Sequence, residues 1–267
     1  MICKLALVDY RNNFLLYVIN FCYMFKQNNS RKNLPISDLP DVQNEKSHLN
    51  VHAGISNFKT VYYGYGWQLP IDISVIVSTD NTRGVHMSRL VKTTKKFMHT
   101  KYIEESLLNI QKEANLTQKN CKVIVHFQYP FEDQFLDVSI TLDDTRNFNY
   151  LFSLPGITSC PCSKATAGIG HMQRTVLKLE LSDLTLVNFD ETALDLSDCF
   201  SAKLEEFLTR SDEAKKIIEA QENSKFVEDV VRDCRKRFPT AQYISATSLE
   251  SIHSHNAVAY WDSTNQI

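Results

Sequence analysis

Alternation of apolar and polar side chains marks three strands in the first half of the chain: Ile71-Asp-Ile-Ser-Val-Ile-Val77, Lys122-Val-Ile-Val-His-Phe127 and Phe135-Leu-Asp-Val-Ser-Ile-Thr-Leu142. Between the first two, Ser88 to Met98 and Ile103 to Ala114 are rich in Lys, Glu and Leu at helical spacing, and the second stops at the polar residue Asn115. The second half echoes this order. Thr175-Val-Leu-Lys-Leu-Glu-Leu181 alternates as a strand, and Ala202 to Leu208 and Ser224 to Phe238 are expected to be helical. Val227, Val230 and Val231 share one face of the last helix, with charges on the others. Short strands at Ala241 to Ser245 and Ala257 to Trp261 close the chain. Strand runs interrupted by paired helices, rather than by single crossovers, predict an α+β architecture built on antiparallel sheet.

The 267 residues carry 43% hydrophobic side chains and 29 basic against 31 acidic groups, a formal net charge of -2. That balance gives no electrostatic footprint for nucleic acid or an anionic membrane. Seven Cys scattered through the chain do not form a secreted disulfide framework, so free thiols in a reducing cytoplasm are expected. Phe14 to Phe25 is strongly apolar but shorter than the roughly 20 residues a spanning helix takes, and Lys26-Gln-Asn-Asn-Ser-Arg31 follows it without a small-residue cleavage site. This segment is read as lying outside the working domain, as an extension in front of an internal start at Met24, and residues 26 to 50, with Pro35 and Pro40, as an exposed arm.

Three segments concentrate reactive side chains where turns are expected. In the first, Cys160-Pro-Cys162 is followed nine residues on by His171 across a Gly-containing loop. Thiolate and imidazole are ligands for zinc, iron or manganese-type ions, although two semi-buried structural cysteines beside an unrelated His would give the same spacing. The second, Glu250-Ser-Ile-His-Ser-His255, places a carboxylate and two imidazoles within six residues, either as a metal ligand with a proton shuttle or as a polar surface turn. The third, Arg83-Gly-Val-His-Met-Ser-Arg89, leads into the first long helix with Ser88 as its expected N-cap. A helix start with Arg89 and Lys92 nearby can hold phosphate, and a plain capped helix needs no ligand at all.

Together these segments resemble the type IB GTP cyclohydrolases. The matching stretches are Leu39-Pro-Asp-Val-Gln43, Gly84-Val-His-Met-Ser-Arg89, Cys160-Pro-Cys-Ser-Lys164 with His171-Met-Gln-Arg174, Arg210-Ser-Asp-Glu213, Lys225-Phe-Val-Glu-Asp-Val-Val-Arg232 and Glu250-Ser-Ile-His-Ser-His-Asn-Ala257. They span about residues 38 to 262 in the family's order. The resemblance implies a tunnelling fold of two modules, 38–155 and 156–267, each an antiparallel sheet with paired helices, behind an extension at 1–37. It implies a homotetramer with sites at subunit interfaces; a cytoplasmic place, with neither nucleic acid nor membrane as partner, is expected from the thiols, the charge balance and the short apolar segment above. The implied reaction, the first step of tetrahydrofolate biosynthesis, converts GTP and water to 7,8-dihydroneopterin triphosphate and formate with a divalent ion, zinc, manganese or ferrous iron.

By the same resemblance, Cys160 and His171 are metal ligands, His253 is a ligand or proton-transfer group, and Glu250 orients it, with Cys162 in the pocket. The family's usual Glu before Arg210 is absent, which leaves Asp198 or Asp195 to stand in, and the loop from Cys160 to His171 is one residue shorter than the family's. Glu213 is assigned to the guanine edge, and His86, Ser88 and Arg89, then Lys164 and Arg174, to the triphosphate. Other readings are a non-catalytic metal- or nucleotide-binding paralogue, an archaeal-type cyclohydrolase giving a cyclic phosphate, and a deazaguanine nitrile reductase.

Overall fold

Eight strands form one antiparallel sheet in which each strand pairs with its neighbour in sequence, in the order β1 to β8. The computed structural model describes residues 41–183 and 186–264. The chain divides into units 1–42 and 43–267, and the whole sheet with its helices belongs to the second. The extension at 1–37 lies outside the described residues. The strands are β1 (His52–Gly64), β2 (Trp67–Ser78), β3 (Lys119–Phe131), β4 (Gln134–Leu142), β5 (Phe148–Ser159), β6 (Met172–Asp183), β7 (Tyr243–Leu249) and β8 (Ala257–Asp262). The helices are α1 (Met87–Lys96), α2 (Ile103–Ala114), α3 (Pro161–Ala167), α4 (Phe189–Ser197), α5 (Arg210–Glu222) and α6 (Val227–Arg237). The chain thus runs strand-strand, helices, strand-strand, and from β5 does so again. A division between residues 155 and 156 falls inside β5.

Period-two burial sorts the sheet into two faces. Ile71, Ile73, Val75 and Val77 on β2, Val123 and Val125 on β3, and Tyr150, Phe152 and Leu154 on β5 point into one core. Helices cover that side: Leu90 of α1, Ile103, Leu107 and Ile110 of α2, Leu196 of α4 and Val230 of α6 join the same cluster. Each such fully buried aliphatic side chain contributes about 1.5–3 kcal/mol. Asp72, His126, Asp137 and Ser153 point to the uncovered face and line an open hollow of about 1030 Å³.

The predicted strands are all present, and α2 has the expected bounds. Two readings need correction. Ala202 to Leu208 is not helical, because the backbone of Ala202 pairs with Ile157 beyond the end of the β4–β5 ladder and Gln134 Nε2 donates to the Leu204 carbonyl. Ser88 does not cap α1: the N-cap is His86, and Ser88 lies one residue inside the helix.

The alternation rule missed β1 and β5 for physical reasons. β1 is an edge strand, exposed or half-buried along nearly all its length. β5 contains Pro155 and Gly156, which argue against a central strand. Pairing of β4 with β5 ends at Asp137 with Ser153, so Pro155 has no ladder partner on that side to donate to. Gly156 leaves room for Phe200, whose ring carbon would lie 2.1 Å from a Cβ there.

Register fixes where the loops fall. The β1–β2, β3–β4, β5–β6 and β7–β8 connections gather at one end of the sheet, and the connection from β2 to α1 leaves from the other. The twelve residues of β5, rising about 3.3 Å each, separate these ends by roughly 35–40 Å.

Candidate active site at the β5–β6 connection

Cys160 and His171 are brought side by side because they extend the paired ends of β5 and β6, where Ser159 faces Met172. Cys160 is the N-cap of α3, and Pro161 follows at the position where a missing N–H costs nothing. After two turns the chain is stopped by Gly168 in the left-handed conformation (φ 77°), whose N–H donates to the Lys164 carbonyl. The return loop closes when the Cys160 N–H donates to the His171 carbonyl at 3.0 Å. Ser163 ties the same two residues again: its hydroxyl accepts from the His171 N–H at 3.0 Å and donates to the Cys160 carbonyl at 3.3 Å. Cys160 is half-buried, whereas Cys162 is exposed on α3.

The segment after β7 forms the facing wall. Ser251 Oγ lies 3.3 Å from His171 Nδ1, and a Glu250 carboxylate oxygen lies 3.9 Å from the same nitrogen. At that distance Glu250 makes no hydrogen bond to the ring. The His253 ring stands edge-on to His171 at 6.2 Å between centroids, and His255 stacks on His253 at 5.1 Å. Glu250 therefore faces His171, not His253. Ser251 occupies the hydrogen-bond position on Nδ1 and leaves Nε2 free to meet an electrophile.

Thiol, imidazoles and carboxylate are the right kinds of donor for a borderline divalent ion. Among the described residues, no three His, Cys, Asp or Glu side chains are already gathered into a cage. Asp198 is turned elsewhere. It caps the C-terminus of α4, and its carboxylate lies 3.4 Å from Arg237 Nη2, while Asp195 meets Nη1 at 2.8 Å.

The remaining candidates are spread out. Glu213 is exposed in the first turn of α5. Lys164 Nζ donates to the Gln221 carbonyl, and Arg174 is exposed on β6 between Ile157 and Leu249. His86, whose Nε2 lies 3.3 Å from Asn44 Oδ1, and Arg89 line a small hollow with Thr79 and Lys119 at the far end of the sheet. Within one chain they do not meet Cys160 and His171. Sequence reasoning missed Ser163, Gln221 and Lys225, which hold the β5–β6 connection by hydrogen bonds to backbone groups. Ser163, in the Cys160 to Lys164 stretch, and Lys225, which opens the Lys225 to Arg232 stretch, carried local signals; Gln221 carried none.

Residues 39–259 match the family described as type I GTP cyclohydrolase folE2. The chain is 30% identical to GTP cyclohydrolase FolE2 of Thermosipho melanesiensis over 85% of its own length and 98% of the relative's. It is 27% identical to GTP cyclohydrolase MptA of Picrophilus torridus, covering 83% and 93%. Among solved structures, uricase from Arthrobacter globiformis superimposes with a TM-score of 0.52 at 9% identity, over 82% of this chain and 95% of that one. That likeness shows the fold, an α+β tunnelling fold. With the family's match running from the start of the sheet to β8, the chain belongs to the type I GTP cyclohydrolase folE2 family.

Proposed function

We propose that the protein is a metal-dependent GTP cyclohydrolase, converting GTP and water to 7,8-dihydroneopterin triphosphate and formate at the head of tetrahydrofolate biosynthesis. The observation that carries this reading, beside family membership, is the backbone clasp that holds Cys160 and His171 next to each other and opposite Glu250 and His253. Cys160 and His171 would hold the ion, with His253 beside it as third ligand or proton carrier. A divalent ion held there would supply the Lewis acidity that makes water nucleophilic toward C8 of guanine at neutral pH.

The chain's own groups do the rest. Ser251 holds the His171 ring through Nδ1, and the Glu250 carboxylate lies beside that ring. His253, exposed and stacked on His255, would carry a proton toward the opening imidazole ring. Glu213 accepts from the guanine N1–H and exocyclic amine. The triphosphate is bound by His86, Ser88 and Arg89 at the start of α1.

These groups lie at opposite ends of one subunit's sheet, so a complete site needs a second copy. This supports a homotetramer with shared sites, in subunits of two modules. Large apolar side chains are exposed where such a copy would cover them: Ile169 and Ile252 flank the site residues, and Phe207, Ile217 and Ile218 lie before and along α5. Five described cysteines carry free thiols, in keeping with the cytoplasm. Among the described residues no helix is long and apolar enough to cross a membrane.

The test is formate release and pterin fluorescence from metal-free protein given GTP with zinc, manganese or ferrous iron. Cys160→Ala and His171→Ala should abolish both products together with metal uptake. Full turnover by Cys160→Ala would remove this site, and a cyclic phosphate product would replace the triphosphate reading.

A further inference from the structure

We propose that Gln221 is a positioning residue for the Cys160–His171 pair, acting through the backbone of Gly170; the proposal rests on the reading that this pair holds the divalent ion. Gln221 lies in the last turn of α5, 51 residues beyond the glycine it grips. Its Oε1 accepts the Gly170 N–H at 2.8 Å and its Nε2 donates to the Gly170 carbonyl at 2.8 Å. One side chain thus satisfies both backbone groups of the residue immediately before His171, as a neighbouring strand would.

The grip works against a wall. A Cβ at position 170 would lie 2.4 Å from Ser159 Oγ and 2.7 Å from the Cys160 carbonyl oxygen, so the loop is pressed onto Cys160 on one side and held by Gln221 on the other. With no side chain of its own to pack, Gly170 depends on that external partner to restrict its backbone. Gln221 is fixed in turn, since Lys164 Nζ and Ser224 Oγ both donate to its carbonyl.

Four residues on, in the linker that follows α5, Lys225 holds the other partner. The Lys225 N–H donates to the Ser159 carbonyl at 3.0 Å, next to Cys160. The Lys225 ammonium is anchored on the carbonyls of Asp198 and Cys199, at 3.2 and 3.0 Å, and on the Asp233 carboxylate at 3.1 Å. The residue before Cys160 and the residue before His171 are therefore both set by the end of α5 and the linker that follows it. Their relative placement, on which a two-ligand clasp depends, is fixed from outside the motif that supplies them. Outer groups of this kind typically change metal affinity 10–100-fold when removed.

The test uses the full chain and Gln221→Leu, which keeps most of the volume and removes both hydrogen bonds. Amide hydrogen exchange at Gly170 and His171 in metal-free protein should speed up by roughly tenfold or more, as exchange follows local opening. Cobalt(II), titrated by its visible absorption, should bind about 10–100-fold more weakly and with an altered thiolate band. Asn188→Ala, which removes a helix cap away from the site, should lower stability and leave cobalt binding unchanged. If Gln221→Leu does not fold, Gln221→Glu, which keeps one of the two bonds, should give an intermediate loss. Unchanged exchange overturns the grip, and faster exchange with unaltered cobalt affinity and spectrum overturns the positioning role. Cobalt binding that survives Cys160→Ala instead overturns the metal reading, a result separate from either.

Discussion

Glu104 is fully buried in the first turn of α2, and its carboxylate is held by two tyrosines from distant parts of the chain, one in the β1–β2 turn and one on β5: Tyr65 Oη donates at 2.9 Å and Tyr150 Oη at 3.1 Å. Replacing it with Ala leaves both phenol protons facing a void. An unsatisfied buried donor costs about 1–3 kcal/mol, so two give roughly 2–6, less what is regained by no longer burying a carboxylate. We expect a net loss of about 3 kcal/mol in urea unfolding, which for a domain of this size corresponds to roughly 6–12 °C in Tm. Burial raises the Glu104 pKa above its ordinary value of 4.5, and hydrogen bonds from its own backbone N–H, Tyr65 and Tyr150 offset this only in part. The folded protein then holds this proton more tightly than the unfolded chain. Its contribution is most favourable below pH 4.5 and is lost as pH rises through the folded value. Glu104→Gln has no such proton, so its stability relative to the wild type should improve as pH increases from about 4 toward neutrality. Taking the difference between the two proteins cancels the opposite slope from carboxylates held low by partners, such as Asp212 and Asp233. An Ala variant within about 2 °C of the wild type, or a Gln variant whose difference from it does not vary with pH, would refute this account of the network.

Other consequences reach the site and the core. Gly156→Ala drives a methyl into the Phe200 ring, 2.1 Å from its nearest carbon, and should cost about 1–3 kcal/mol by urea denaturation. Glu213→Ala should raise KM for GTP with little change in metal content, and an unchanged KM would remove Glu213 from the base pocket. If sites are shared between copies, Cys160→Ala and Arg89→Ala, each impaired alone, should regain about a quarter of wild-type formate release when co-assembled, because one pairing in four restores both residues. No recovery in mixed assemblies would place His86 and Arg89 outside the site.

Much of the fold was legible because it obeys local rules. The alternation of β2, β3, β4 and β6 is the alternation of core and open face, and Val227, Val230 and Val231 mark the buried side of α6. What was not legible depends on partners far along the chain. β5 reads poorly because Pro155 and Gly156 are tolerated only where β4 has already ended and Phe200 needs the space. The stretch after α4 looked helical at Ala202 to Leu208 until pairing with Ile157 claimed its backbone. α4 and α5 carried signals that could have been read: Asn188 accepts from the N–H groups of Asp190 and Glu191, and Thr209 from that of Asp212.

The site divides along the same line. Cys160, His171, Glu250 and His253 were legible as chemistry because thiols, imidazoles and carboxylates are few and clustered, and the register of β5, β6 and β7 does bring these four to one end of the sheet. Asp198 is proposed as the stand-in for the family's missing Glu, and Arg237 lies against it, a contact no local pattern announces. The phosphate-binding candidates expose the limit of one chain more sharply. His86 and Arg89 follow the far end of β2, and no bending of a 12-residue strand brings them to Cys160. Either they serve another purpose, or the nucleotide lies between two copies with its base and its phosphates gripped by different subunits. The second alternative explains why the rim around the site carries exposed Ile169 and Ile252, side chains that a catalytic cleft complete within one subunit would have no reason to present to water.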